Sequence, residues 1–389
     1  MLIPLLVVAI GVALGAGGIA LVSQFSTAAP RHLAVRPAAQ DVPRPLSEAA
    51  IRARIEPSVV DVTATLTYDD ETASGTGFVI DARTGLILTN NHVIRGATAV
   101  RVTLPATGRT YRADIVGADV AADIAVLRIR TAAALTAAPV GDSAKVTAGA
   151  PVMSFGNQAG AGGSPTVASG VIAGTSRTIQ ADDGAAGFSE TLHGMLATTA
   201  RIEPGDSGGP LAGAAGTVIG VDTAAGTGGG IGYAIPINVA MAAERQITGR
   251  HQGHGISLGG GGFLGVIVGP GGHRSPAAQR AGARGDTARA GDPSGCVPAQ
   301  ADVTVPAAIA PAPAGALVLG VLCGTSAATA GIVAGDVITG AGGHRVESPD
   351  ALTAVEGASR PGTVIPVTWV SATGSARTAR IRLSPAPAA

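Results

Sequence analysis

The sequence predicts a mostly β protein, and three observations carry that reading. Residues 99 to 116 alternate as two strands around Gly108, and Gly85-Leu86-Ile87-Leu88 and Ala122-Asp123-Ile124-Ala125-Val126-Leu127 are further strand-like runs. Aromatic residues make up 2% of the chain while hydrophobic residues reach 46%, so the core must be packed from Val, Ile, Leu and Ala, which suits short strands. A length of 389 residues allows two domains plus connections. The 26 basic residues balance 26 acidic ones, so there is no electrostatic footprint for nucleic acid and proteins or peptides are the expected partners.

The chemistry centres on Gly205-Asp206-Ser207-Gly208-Gly209-Pro210-Leu211. A serine hydroxyl is a poor nucleophile until a base takes its proton, and the oxyanion formed on attack needs N–H donors on the same tight turn. Gly205 can adopt backbone angles closed to other residues, so the N–H groups of Gly205 and Ser207 can converge on one point. By itself the heptapeptide reads equally as an ordinary surface turn. Upstream, Thr89-Asn90-Asn91-His92-Val93-Ile94 follows a strand-like run and offers His92 as the base. Asp123, opening another such run, offers the carboxylate that fixes the imidazole tautomer, whereas Asp119, Asp114 and Asp81 sit in more polar surroundings. Alone, His92 reads as a solvated or hydrogen-bonded side chain and Asp123 as a cap or turn residue; their joint order, His then Asp then Ser, changes the weighing.

With Gly75-Thr76-Gly77-Phe78-Val79-Ile80, Ser169-Gly170-Val171-Ile172 and Gly232-Tyr233-Ala234-Ile235-Pro236 added to these segments, the chain resembles a trypsin-like serine protease of the HtrA (high-temperature-requirement) type. The resemblance implies two six-stranded antiparallel β-barrels, chymotrypsin-like, over residues 47–250, with the catalytic groups in the cleft between them. It places base, orienting carboxylate and nucleophile on His92, Asp123 and Ser207, and the oxyanion donors on Gly205 and Ser207. Two residues depart from the family pattern. Asp206 stands where asparagine is typical, and would accept backbone or arginine hydrogen bonds. Arg201, six residues before Ser207, stands near the base of the first specificity pocket; it either points inward and selects acidic side chains or points outward and pairs with Glu203. The short connection at residues 68–73 lacks the long loop that builds cages in some family members, which favours a monomer or trimer.

Behind a Gly-rich linker at 251–262, Phe263-Leu264-Gly265-Val266 resembles the carboxylate-binding loop of a PDZ domain, which would hold peptide C-termini. Residues 330–338, 346–352 and the runs around Trp369 and Ile381 support a PDZ-like domain over 263–385, with 270–314 as a disordered insertion. Cys296 in that insertion and Cys323 in a strand either form a disulfide or remain free thiols. His251 and His254 are too few and too loosely placed for a metal site, and neither metal nor organic cofactor is implied.

Residues 1–23 are apolar and uncharged, either a transmembrane anchor or a cleaved signal segment, and 24–46 form an Ala/Pro-rich tether. Arg31, Arg36 and Arg44 follow the apolar segment with nothing basic before it, which the positive-inside rule would reconcile with an extracytoplasmic protease only if a basic extension precedes the segment. The expected function is a membrane-tethered or secreted endopeptidase, with a catalytically latent PDZ scaffold as the alternative.

Overall fold

The computed structural model describes residues 45–67, 71–130, 134–157, 163–182, 189–225, 230–251, 255–271, 296–297 and 303–388. The apolar N-terminal segment, most of the expected tether and His254 lie outside them. Among the described residues no helix is long and apolar enough to cross a membrane.

Helix α1 (Glu48–Ile55) opens the fold. Ser47 caps it by accepting the Ala50 N–H, Glu48 lies in the first turn, and Arg52 and Arg54 in the last, all in the sense that complements the helix dipole. Its buried Ile51 and Ile55 deliver the chain into the first barrel. That barrel comprises β1 (Val59–Leu66), β2 (Glu71–Asp81), β3 (Leu86–Thr89), β4 (Ala99–Leu104), β5 (Arg109–Asp119) and β6 (Ile124–Ile129), with the short helix α2 (Asn91–Ile94) between β3 and β4. The strands pair antiparallel in the ring order β1-β2-β3-β6-β5-β4. Gly108, at φ +65°, makes the expected hairpin turn between β4 and β5.

The second barrel closes from β7 (Pro151–Gly156), β8 (Thr166–Asp182), β9 (Ser189–Thr198), β10 (Pro210–Gly213), β11 (Val218–Ala225) and β12 (Gly232–Pro236), in the ring order β10-β11-β12-β9-β8-β7. One buried cluster joins the barrels: Phe78, Leu88 and Val126 from the first meet Met153, Phe155, Met195 and Ile235 from the second. Helix α3 (Ile237–Thr248) packs over this seam. Its inward stripe is Ile237, Ala240, Ala243 and Ile247, whereas Val239 is 44% exposed. The helix starts at the buried Ile237, and that start sets a three-to-four spacing which turns Val239 outward.

The segment read as a plain linker also does more than connect. Within it, β13 (Ile256–Leu258) adds to the end of β5 at Gly117–Asp119, on the stretch that β4 leaves unpaired. The C-terminal region then forms the two-stranded pair β14 (Gly262–Phe263) with β21 (Ser384–Pro385), and a sheet of β15 (Val266–Gly271), β16 (Gly315–Val321), β17 (Val337–Ala341), β19 (Val364–Val370) and β20 (Ala376–Arg382), with β18 (His344–Arg345) on β17. Helices α4 (Ser326–Thr329) and α5 (Pro349–Ala358) complete it around a core containing Leu264, Val318, Ile338, Leu352 and Trp369. Part of the expected disordered insertion is structured: Val297 bridges Leu322, and Ala310 is buried against Leu317 and Val337. Cys296 and Cys323 are joined by a disulfide with Cα atoms 4.9 Å apart.

Candidate active site

Strand β3 ends at Thr89, and α2 starts immediately, so His92 stands at the rim where the first barrel faces the second. Asp123, 2% exposed, approaches it from the turn before β6. Its φ of +51° is unusual for a residue with a side chain, and the turn is held by Asn90 Nδ2 and the Asn91 N–H, which both donate to the Asp123 carbonyl, at 2.9 and 3.2 Å. The carboxylate grips His92 twice: Oδ1 accepts the His92 backbone N–H at 2.9 Å, and Oδ2 lies 2.8 Å from Nδ1. With Nδ1 committed as the donor, Nε2 is the basic nitrogen.

Ser207 arrives from the turn before β10, and Thr223 on β11 links it to the aspartate. The Thr223 hydroxyl donates to Asp123 Oδ2 at 2.7 Å, while its carbonyl accepts the Ser207 hydroxyl at 2.9 Å. The preceding residue, Asp222, locks the nucleophile turn to β11: its carbonyl accepts the Gly208 N–H at 2.7 Å, and its N–H donates to the Gly209 carbonyl at 2.8 Å. Gly205 and Gly208 adopt φ values of +98° and +88°, which their lack of a Cβ permits.

The turn is braced from the first barrel by Thr76, which is fully buried. Its hydroxyl donates to the Gly205 carbonyl at 2.7 Å, its N–H donates to the Ser207 carbonyl at 2.8 Å, and its own carbonyl accepts the Thr89 hydroxyl at 2.7 Å. The Asn157 N–H in turn donates to the Thr76 hydroxyl at 2.9 Å. Thr76 thus touches both residues expected to supply oxyanion donors.

Three buried carboxyl groups surround this frame. Asp206 turns inward, accepting the Glu203 N–H at 2.8 Å and lying 3.4 Å from the Thr166 hydroxyl; burial raises its pKa. It takes the backbone alternative among its expected partners, and Gly156 beside it has no room for a Cβ. Asp222 is fully buried against the Ser154 hydroxyl at 2.6 Å, and burial pushes its carboxyl well above the usual range. Burial likewise pushes Asp61 up to about 6, although a hydrogen bond from Asn157 opposes the shift.

Arg201 does not reach into the cleft. Its side chain is 81% exposed and pairs with Glu203, which is the outward alternative, because a buried guanidinium would need a partner that Glu203 instead supplies at the surface. Among the described residues no group of three His, Cys, Asp or Glu side chains could hold a metal.

The sequence singles out His92, Asp123 and Ser207 as candidates, and the hydrogen bonds join them, while it assigns no role to Thr76, Thr223 or Asp222. Thr223 lies 100 residues from Asp123, and no local pattern announces a hydroxyl whose partner comes from another barrel.

Residues 75–221 match the family model of the trypsin-like peptidase domain. The chain is 34% identical to the periplasmic serine endoprotease DegP of Escherichia coli over 73% of its own length and 52% of that protein. It is 28% identical to the serine protease PepD of Mycobacterium tuberculosis over 88% of its length and 67% of PepD, and 41% identical to the chloroplastic protease Do-like 1 of Arabidopsis thaliana over 45% of its length and 39% of that protein. The chain therefore spans about two fifths to two thirds of these relatives. Among solved structures, an HtrA-type protease AlgW with a tripeptide is 30% identical over 88% of this chain and 99% of that one, with a TM-score of 0.46. By sequence the chain is related to the HtrA/DegP-type trypsin-like serine proteases.

Proposed function

We propose that this protein is a serine endopeptidase that cuts misfolded or regulatory extracytoplasmic proteins through an acyl-enzyme. The observation that carries this reading is the continuous linkage from His92 through Asp123 and Thr223 to Ser207. In the reaction, the Ser207 hydroxyl turns from the Thr223 carbonyl to His92 Nε2 and attacks the scissile carbonyl. Asp123 stabilises the imidazolium, and the N–H groups of Gly205 and Ser207 receive the oxyanion. His92 then gives its proton to the leaving amine and later draws one from the water that releases the acyl group.

The C-terminal domain is read as PDZ-like, with the loop at 263–266 leading into a peptide-binding sheet edge. The named periplasmic location of DegP and the Cys296–Cys323 disulfide both support an extracytoplasmic setting, tethered or exported through residues 1–23, with a trimer as the proposed assembly.

The test compares the protein with its Ser207→Ala variant, using a fluorophosphonate probe and casein. Labelling and hydrolysis are both expected, and both should vanish in the variant. Folded protein that takes up no label would overturn the constitutive protease and favour a latent enzyme or a scaffold.

A further inference from the structure

Strand β15 is an edge of the C-terminal sheet: among the described residues it pairs with β16 alone, and α5 packs nearby. A strand edge beside a helix is a setting in which an extended chain can add as one more strand. Val268 on β15 and Val355 on α5, both partly buried, rest on the same core and offer apolar surface there. The loop Phe263-Leu264-Gly265-Val266 leads into that edge, with Gly265 at φ +92°.

A backbone donor of this loop is already engaged. The Leu264 N–H donates to Glu356 Oε1, from the last turn of α5, at 2.7 Å. No ion pair among the described residues includes Glu356. Burial pushes its acid up to about 7, although the hydrogen bond from Leu264 opposes the shift. A side-chain carboxyl therefore sits where a terminal carboxylate would seek N–H donors.

We propose that Glu356 acts as a built-in carboxylate ligand of the 263–266 loop, so that the furrow between β15 and α5 takes internal extended segments of a polypeptide in preference to free C-termini. The proposal rests on the PDZ-like reading of the domain and specifies its partner. Above about pH 7, where Glu356 is ionised, a terminal carboxylate would lose the Leu264 donor and meet a charge of its own sign at close range in a poorly hydrated site, which is strongly unfavourable. An internal segment carries no charge at that point, and its amide N–H can donate to the carboxyl that Leu264 already orients.

The experiment uses the full chain carrying Ser207→Ala, so that bound peptides survive, and an array of fluorescent decapeptides, each made with a free carboxylate and as the carboxamide. Anisotropy gives the affinity of each pair. The carboxamides are expected to bind about tenfold tighter or better, and Glu356→Gln should erase or reverse that preference. Glu356→Leu, which removes the charge and the acceptor together, should do the same and stands in if the Gln variant does not fold. Preference for free carboxylates, unchanged by either substitution, would overturn the role of Glu356 while leaving the PDZ-like reading intact. No binding of either form by any of the proteins would overturn both.

Discussion

At the scale of single residues, Thr76 bears the most specific expectation. It contacts no reacting atom in the proposed mechanism, yet it holds the carbonyls of Gly205 and Ser207, whose N–H groups would stabilise the oxyanion. Thr76→Ala leaves the Gly205 carbonyl and the Asn157 N–H without their partner, so kcat for an ester or peptide substrate should fall about 10- to 100-fold with KM little changed, less than the loss of an oxyanion donor itself. Thr76→Ser keeps the hydroxyl and should restore most of the rate; if it fails to do so, packing of the methyl group is what matters. Thr223→Val tests the other brace. It removes the donor to Asp123 Oδ2 but keeps the carbonyl facing Ser207, so steady-state kinetics should show a fall in kcat of about tenfold or more with the fluorophosphonate site still reactive.

Strands and turns explain why some of this was legible in the sequence and some was not. The barrel strands show as apolar runs, Gly108 marks its hairpin, and His92, Asp123 and Ser207 each fall within a few residues of a strand end, where local pattern is strong. The braces are contacts between elements distant in the chain: Thr76 and Gly205 are 129 residues apart, and only the closing of the two barrels brings them together. Likewise β13 has no period of its own, because three residues suffice to add to an unpaired stretch of strand, and the Gly-rich composition around it reads as slack. The same blindness hid Asp61, a carboxyl on a barrel strand facing Asn157. Its folded pKa lies at about 6, above the ordinary 3.8, so the folded state holds its proton more tightly than the unfolded chain. That contribution to stability is complete below the ordinary value and is lost as pH rises through about 6. Asp61→Asn should therefore gain stability relative to the parent between pH 4 and 7 and hold a constant advantage above, in denaturant melts across that range. A difference that does not change with pH would show that Asp61 titrates alike in both states.

Across the whole molecule, two devices tie the C-terminal domain together and to the barrels. The Cys296–Cys323 disulfide closes a stretch of 27 residues, for which chain-entropy reasoning gives about 3.5 kcal/mol of stabilisation. Cys323→Ser, or reduction of the parent, should lower the denaturation midpoint of this domain accordingly. The second device is the C-terminal tail. After β21 the chain turns back, Ala386 donates its N–H to the Gly261 carbonyl, and Ala388 exchanges two backbone hydrogen bonds at 2.9 Å with Gly96 and Ala97, in the loop directly after the helix that carries His92. Ala388 also packs against the core of the first barrel. These bonds add a second attachment to the one made by β13, so the domain is fastened at both of its ends. Removing residues 386–389 would leave the β13 attachment with its flanking bonds from Val120 to Gly255 and from Gly259 to Val116, and the short stretch between β13 and β14 should then open more often. Limited proteolysis should cut at 259–262 faster in the truncated chain, while labelling of Ser207 by the fluorophosphonate probe continues, because the hydrogen bonds of Ala388 go to Gly96 and Ala97, in the loop after α2. Unchanged cleavage would mean that β13 alone holds the domain; lost labelling would mean that the tail also supports the helix bearing the proposed base.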